Sequence, residues 1–196
     1  MAIKPAIDLV SVSKLVVKSK PDTFTRSHST PVFGFYISVS MQIIRAQTSS
    51  HMDQIRTLFR EYEQFLNVDL CFQGFEEELA GLPGKYAPPD GALFLALKDQ
   101  ETAGCVAVRP LETGICEMKR LYIRPSCRGL GLGKELAETI ISEAEDLKYR
   151  LMRLDTLETL TEAMGLYHSM GFRRTSAYYH NPLQDVIYWE RALGTR

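Results

Sequence analysis

The chain has 196 residues, 45% of them apolar and 24% charged, which suits one globular domain with room for a tail rather than a disordered or collagen-like chain. Lys and Arg number 23 against 24 Asp and Glu, a formal net charge of -1, so no basic footprint for nucleic acid is present. The longest apolar stretches, such as residues 92–97, fall far short of the roughly 20 residues of a membrane span, and no membrane partner is expected.

The first forty residues differ from the rest. Lys4, Lys14, Lys18, Lys20 and Arg26 stand against Asp8 and Asp22, serines are frequent, and prolines fall at 5, 21 and 31. Such a composition fits either a poorly ordered extension or an organellar targeting segment, so the protein is expected in the cytoplasm, or in an organelle if the segment is a transit sequence. The folded domain is expected over residues 41–196. Residues 41–46 read as a short strand. Ser49 and Ser50 then offer an N-cap, and Met52, Ile55, Leu58, Phe59, Tyr62, Phe65 and Leu66 recur at helical spacing. A short helix is predicted over 75–82, ended by Pro83-Gly84. Strands at 92–97 and 103–109 form a hairpin, and 115–123 is a third strand stopped before Pro125. The strongest helical stripe follows: Leu132, Leu136, Ala137, Ile140, Ile141, Ala144 and Leu147. Residues 151–156 read as a strand, 161–170 as a helix, and 173–179 and 186–191 as the last two strands. This order implies an α/β fold with a single mixed sheet and helices on both faces.

Four cysteines (Cys71, Cys105, Cys116, Cys127) form no C-x-x-C pair, and the four histidines are scattered. Reduced thiols and no metal site are expected.

The chemically informative stretch joins the 115–123 strand to the long helix, and from Leu121 to Lys134 it reads LYIRPSCRGLGLGK. Glycines tolerate positive φ and let successive backbone N–H groups converge. The first helical turn adds unpaired donors and the positive end of the macrodipole, so the loop is an anion site suited to a diphosphate. A P-loop is excluded because Glu135 follows Lys134 where Ser or Thr is required. A dinucleotide fingerprint lacks its third glycine at Lys134, although Asp155 at the end of the next strand mimics its ribose-binding acid.

The loop, with Arg128, Gly131 and Gly133 in the pattern Q/R-x-x-G-x-G/A, resembles the acyl-CoA-binding motif of the GNAT superfamily of N-acyltransferases. Downstream, AMGLYHSMGF over residues 163–172 is similar to that family's A-x-x-x-Y-x-x-x-G-F signature. One departure is Leu160, where many members carry an Asn that contacts the pantetheine arm. The resemblance implies a GNAT-like fold, acetyl-CoA as cosubstrate without a metal, and a small-molecule or peptide amine as acceptor, with a homodimer possible. It implies that the strands on either side of the loop splay apart, so that Leu121 and Ile123 offer backbone groups to the pantetheine arm. The diphosphate would rest on the amides of Arg128, Gly129, Gly131, Gly133 and Lys134. A lysine-like amine is protonated at pH 7, and freeing it costs roughly 4.6 kcal/mol. Glu117, placed by strand alternation on one face with Lys119 and Leu121, is the candidate base acting through water, set against a reading as a surface ion pair. Tyr167 is the candidate acid for the leaving thiolate, set against a reading as a core aromatic. Tyr62, residues 72–78, Tyr178, Tyr179, His180, Asn181 and Pro182 are expected around the acceptor. Arg56, Arg60 and the Glu76–Glu77–Glu78 run are read either as substrate-recognising charges or as solvated faces. The alternative to an enzyme is a catalytically silent CoA-binding sensor, favoured by Leu160 alone.

Overall fold

A computed structural model describes residues 12–13, 39–71 and 74–194. Its elements run β1 (Val12–Ser13), β2 (Met41–Arg45), α1 (Ser49–Leu66), α2 (Phe75–Ala80), β3 (Ala92–Lys98), β4 (Glu101–Glu112), β5 (Ile115–Ile123), α3 (Leu132–Asp146), β6 (Leu151–Leu157), α4 (Thr161–Ser169), β7 (Arg173–Thr175) and β8 (Val186–Ala192). The strands form one sheet in the order β1-β2-β3-β4-β5-β6-β8-β7. Every neighbouring pair is antiparallel except β5 with β6. This is the mixed, mostly antiparallel α/β sheet expected. Most of residues 1–40, expected as an extension or targeting segment, lie outside the described residues, although Val12–Ser13 pairs with Gln42 and Met41 of β2.

Strand alternation sorts the core onto the two faces of the sheet. Phe94, Val106, Met118 and Met152 meet Leu132, Leu136 and Ile140 of α3 on one face. Leu93, Leu95, Cys105 and Ala107 meet Ile55, Leu58 and Phe59 of α1 and Phe75 of α2 on the other. The hairpin between β3 and β4 turns on Asp99 and Gln100, both at positive φ (51° and 69°), the geometry a two-residue antiparallel connection favours. All four cysteines are free thiols.

Three departures from the sequence expectation bear on the site, beyond shifts of element ends such as the longer β4 (Glu101–Glu112) and shorter α2 (Phe75–Ala80). The N-cap of α1 is Thr48, not Ser49 or Ser50: its hydroxyl accepts from the His51 amide, while the His51 ring accepts from the Thr48 amide. A histidine closes a capping box usually completed by Glu or Gln. β7 stops at Thr175 rather than continuing to Tyr179, because Tyr178 and Tyr179 turn their hydroxyls onto two carboxylates described below. The third difference lies in β5, where alternation breaks. Arg120 takes a left-handed φ of 57°, and pairing with β4 shifts between Cys105↔Tyr122 and Ala107↔Lys119. The resulting bulge puts Lys119 and Arg120 both on the α1/α2 side, while Leu121 packs on the α3 side. Glu117 and Lys119 share a face as expected, but Leu121 does not join them.

Candidate active site

The parallel pairing of β5 with β6 covers only Ile115↔Leu151, Cys116↔Met152 and Glu117↔Arg153. Beyond it the two strands diverge, and the opening becomes a cleft of about 560 Å³. One lip is Met118 to Ile123, the other Asp155 to Leu157. The splayed strands expected from the family resemblance are therefore present.

At one end of the cleft lies the glycine loop. Gly129 and Gly131 have φ of 75° and 84°, and a Cβ built on either would meet nothing within 4 Å. Positive φ makes glycine the fitting residue there, and the empty space in front is where an anion can approach the backbone. Gly131 caps α3 without any side-chain hydrogen bond, so the helix's first amides face the cleft without a competing cap. Arg128, Gly129, Gly131, Gly133 and Lys134 all line this end. The Arg128 guanidinium lies 4.2 Å from the centre of the Phe65 ring, and its Nε donates to the Ile123 carbonyl at 3.2 Å. Open glycine amides beside two cationic side chains give this end of the cleft the character of an anion site.

Tyr167, on α4, lines the same cleft. Its ring packs edge-on against Phe172, centroids 5.9 Å apart, and near Trp189 at 6.5 Å. The ring is therefore a core aromatic, as one reading expected, that also lines the cleft. Burial, and then the nearby Tyr62 and Asp155, push its hydroxyl well above the ordinary phenol range, so it stays protonated. Leu160 is the N-cap of α4, makes no capping hydrogen bond and lines the cleft.

Glu117 is 1% exposed and lies outside the cleft lining. Arg109 Nε and Nη2 each approach its Oε2 at 2.8 Å, Lys119 Nζ lies 3.4 Å from Oε1, and the Tyr178 hydroxyl donates to Oε1 at 2.9 Å. The ion pair considered from sequence exists, but it is buried rather than at the surface. Lys119 continues the chain: its Nζ is 2.7 Å from Asp155 Oδ1, so the pair bridges the opening between β5 and β6. Tyr179 donates to Asp155 Oδ2 at 2.9 Å and accepts from Asn181 Nδ2 at 2.8 Å. Burial would raise the Asp155 carboxyl, but the charge and hydrogen bond of Lys119 and the Tyr179 hydroxyl outweigh it and hold it below the ordinary carboxylate value.

Of the residues expected around the acceptor, Tyr62 and Asn181 line the cleft, whereas Tyr178 and Tyr179 stand behind it on the two carboxylates. Phe72 lies outside the described residues. Arg56 donates to the Leu79 carbonyl and pairs with Asp53, and Arg60 pairs with Glu76, so both fasten α1 to its surroundings. The third glutamate of the run, Glu78, is no solvated charge. It receives Nε and Nη2 of the buried Arg120 at 3.0 and 2.7 Å and the Tyr86 hydroxyl at 2.8 Å. Sequence reading passed over this pair; the one available signal was an arginine inside an apolar strand. No cluster of His, Cys, Asp or Glu suited to a metal occurs among the described residues. Nor, among them, is any helix long and apolar enough to cross a membrane.

A sheet parted between two parallel strands, with an amide cradle at one end and a protonated phenol along its wall, defines an enzyme that transfers a group from a diphosphate-bearing carrier. Comparison with known proteins agrees. An uncharacterized N-acetyltransferase of Schizosaccharomyces pombe is 46% identical over 151 residues, 76% of this chain and 93% of the relative. In fold, an acetyltransferase of the GNAT family from Staphylococcus aureus superposes with a TM-score of 0.66 at 19% identity, over 79% of this chain and 99% of its own. A Salmonella typhimurium protein solved with its cofactor acetyl-CoA gives 0.61 at 18% identity, over 80% and 95%. Residues 52–172 match the acetyltransferase (GNAT) family, and the chain belongs to it. It is an acetyltransferase.

Proposed function

We propose that this enzyme moves an acetyl group from acetyl-CoA to a primary amine, the amine attacking the thioester directly. The observation that carries this reading is a single cleft in which the open amides of the glycine loop lead, between the parted strands, to Tyr167.

The amides from Gly129 to Gly133 hold the diphosphate, those of Arg128 and Lys134 being already given to the Pro125 and Gly131 carbonyls at 3.3 and 3.0 Å, and backbone groups of Leu121 and Ile123 line the path of the pantetheine arm. The Ile123 carbonyl is now occupied by Arg128 Nε; release of that contact frees the carbonyl for the arm and the guanidinium for the diphosphate. Acetyl-CoA supplies the activated acyl group and a thiol leaving group. Tyr167 gives its hydroxyl proton to the departing sulfur. Phenol to thiol is uphill by roughly 2 kcal/mol at ordinary values, and the burial of Tyr167 widens that gap. Glu117 sits one side chain behind the wall, out of direct reach of the amine, so as base it takes up the amine's proton through water. Lys119, held between Glu117 and Asp155, and Asp155 itself are the members of that network facing the cleft.

Tyr167→Phe is expected to lower kcat by about 100-fold or more, the lower range for loss of a general acid, with little change in the acetyl-CoA KM. Acetyl-CoA at about 100 times its Kd should stabilise the parent protein by about 2.7 kcal/mol, a rise of about 5–11 °C in Tm. Equal turnover in the variant at every pH removes Tyr167 from the mechanism. Stabilisation without thiol release on any amine would instead leave a binding module.

A further inference from the structure

We infer that the acceptor is a primary amine carried on an uncharged apolar body, and that polyamines, aminoglycosides and other polycations are rejected. The inference rests on the acetyl-transfer reading above and names the substrate class of the same cleft.

The sheet divides the cleft into a coenzyme end, with the glycine loop and α4, and an acceptor end on the α1/α2 face. At the acceptor end the walls are apolar. Tyr62 and Leu66 of α1, Val68 and Leu70 just after it, Leu183 and the first residue of β8, Val186, line that end. The floor is ionic but cross-paired. Lys119 is shared by Asp155 and Glu117, whose second partner is Arg109, and Arg120 is matched by Glu78. A polycation needs carboxylates free to meet it, because a buried cation without a partner is costly. Four cations, Lys119, Arg120, Arg128 and Lys134, line the cleft against two carboxylates, Asp155 and Glu162. Asp155 already holds Lys119 at 2.7 Å, and Glu162 lies on the first turn of α4, at the coenzyme end. Arg128 and Lys134 serve the diphosphate, and Lys119 and Arg120 are matched by Asp155, Glu117 and Glu78, so no carboxylate is left over for a further positive charge. The cations of the floor are equally engaged, so they offer no free donor to a substrate carboxylate. What remains for an acceptor is apolar surface.

The test measures thiol release with the full chain and acetyl-CoA over a panel: n-alkylamines of increasing length, phenethylamine, leucinamide, leucine, spermidine and kanamycin. The expected result is a kcat/KM that rises by up to about four-fold per added methylene, with leucinamide above leucine and both polycations at least ten-fold below phenethylamine. Lys119→Gln uncovers the Asp155 charge and should shift the spermidine-to-phenethylamine ratio toward spermidine. Leu66→Glu adds a negative charge to the wall from the surface of α1 and should do the same where the first variant fails to fold. Polycations turned over faster than phenethylamine overturn the inference, as does leucine above leucinamide or a response flat in chain length. Silence toward every apolar amine also overturns it, provided acetyl-CoA still raises the Tm. Absence of that rise overturns the reading beneath it.

Discussion

Replacing Glu78 by alanine removes the carboxylate from an Arg120 side chain that is 3% exposed. Two Arg120 nitrogens and the Tyr86 hydroxyl lose their acceptor together. At 2.7 Å and an effective dielectric near 20, the attraction between such charges is about 6 kcal/mol, and desolvation offsets most of it. What the variant measures is different: a buried guanidinium stacked 5.0 Å from the Phe75 ring centre, left with no counter-charge. Breaking a buried pair in this way costs about 3–5 kcal/mol, or about 6–20 °C in Tm for a chain of this size. The assay is urea unfolding followed by fluorescence of Trp189, the chain's one tryptophan and 5% exposed. The midpoint should fall with little change in slope, since the surface exposed on unfolding is nearly the same. Replacing both partners, as Glu78→Leu with Arg120→Met, should recover much of the loss. A deficit under about 1 kcal/mol, the range of exposed pairs, would show that Arg120 reaches water and that α2 is not pinned by it.

Gly131→Asp combines a left-handed φ of 84°, unfavourable for a residue with a Cβ, with a negative charge inside the diphosphate cradle. Acetyl-CoA binding should weaken by at least ten-fold while the unliganded protein still folds; calorimetric titration decides it, and unchanged affinity would refute the cradle. Acid sensitivity follows from Asp155 and Glu78. For both, burial alone raises the carboxyl, yet their partners, chiefly Lys119 and Arg120, hold it below the ordinary value. A carboxyl depressed in the folded state contributes stability that is complete above its unfolded value of about 4 and is lost as pH falls through the folded one. The urea midpoint should therefore respond to these groups only below about pH 4, and Asp155→Asn should flatten that fall.

Much of the fold was legible because its elements are strongly periodic. The strand Leu151–Leu157, with every second residue buried, and the apolar stripe of α3 appear within a residue of where sequence places them, since alternation and 3.6-residue spacing record burial directly. The glycine loop was legible for another reason: only glycine serves at its left-handed positions. Tertiary hydrogen bonds left no comparable trace. Tyr178 and Tyr179 have strand-favouring side chains, yet two distant carboxylates draw them out of β7. Glu78 looked like its exposed neighbours Glu76 and Glu77, and only the position of α2 over β5 separates them. The role of Glu117 shows the same gap. Its spacing from the loop suggested a base, but its two cations come from β4 and from its own strand, and together they set it behind the cleft rather than in it.

The bulge at Arg120 joins these observations. A left-handed φ costs a residue with a Cβ about 1–2 kcal/mol and persists only where its surroundings hold it. Without the bulge, the register of the last three residues of β5 would slip by one, and Leu121 and Ile123 would turn from the α3 side to the α1 side. The lip of the cleft formed by Leu121 and Ile123 therefore depends on a strained residue, and the Glu78 carboxylate fastens that residue from α2. Arg120→Gly separates the two effects. Glycine relieves about 1–2 kcal/mol of strain, while loss of the guanidinium leaves Glu78 with only the Tyr86 hydroxyl, at a cost of about 3–5 kcal/mol. The brace outweighs the strain, so the variant should be less stable by about 1–4 kcal/mol in the same urea titration. A glycine variant as stable as the parent would mean that backbone strain, and not the ion pair, governs this lip of the cleft.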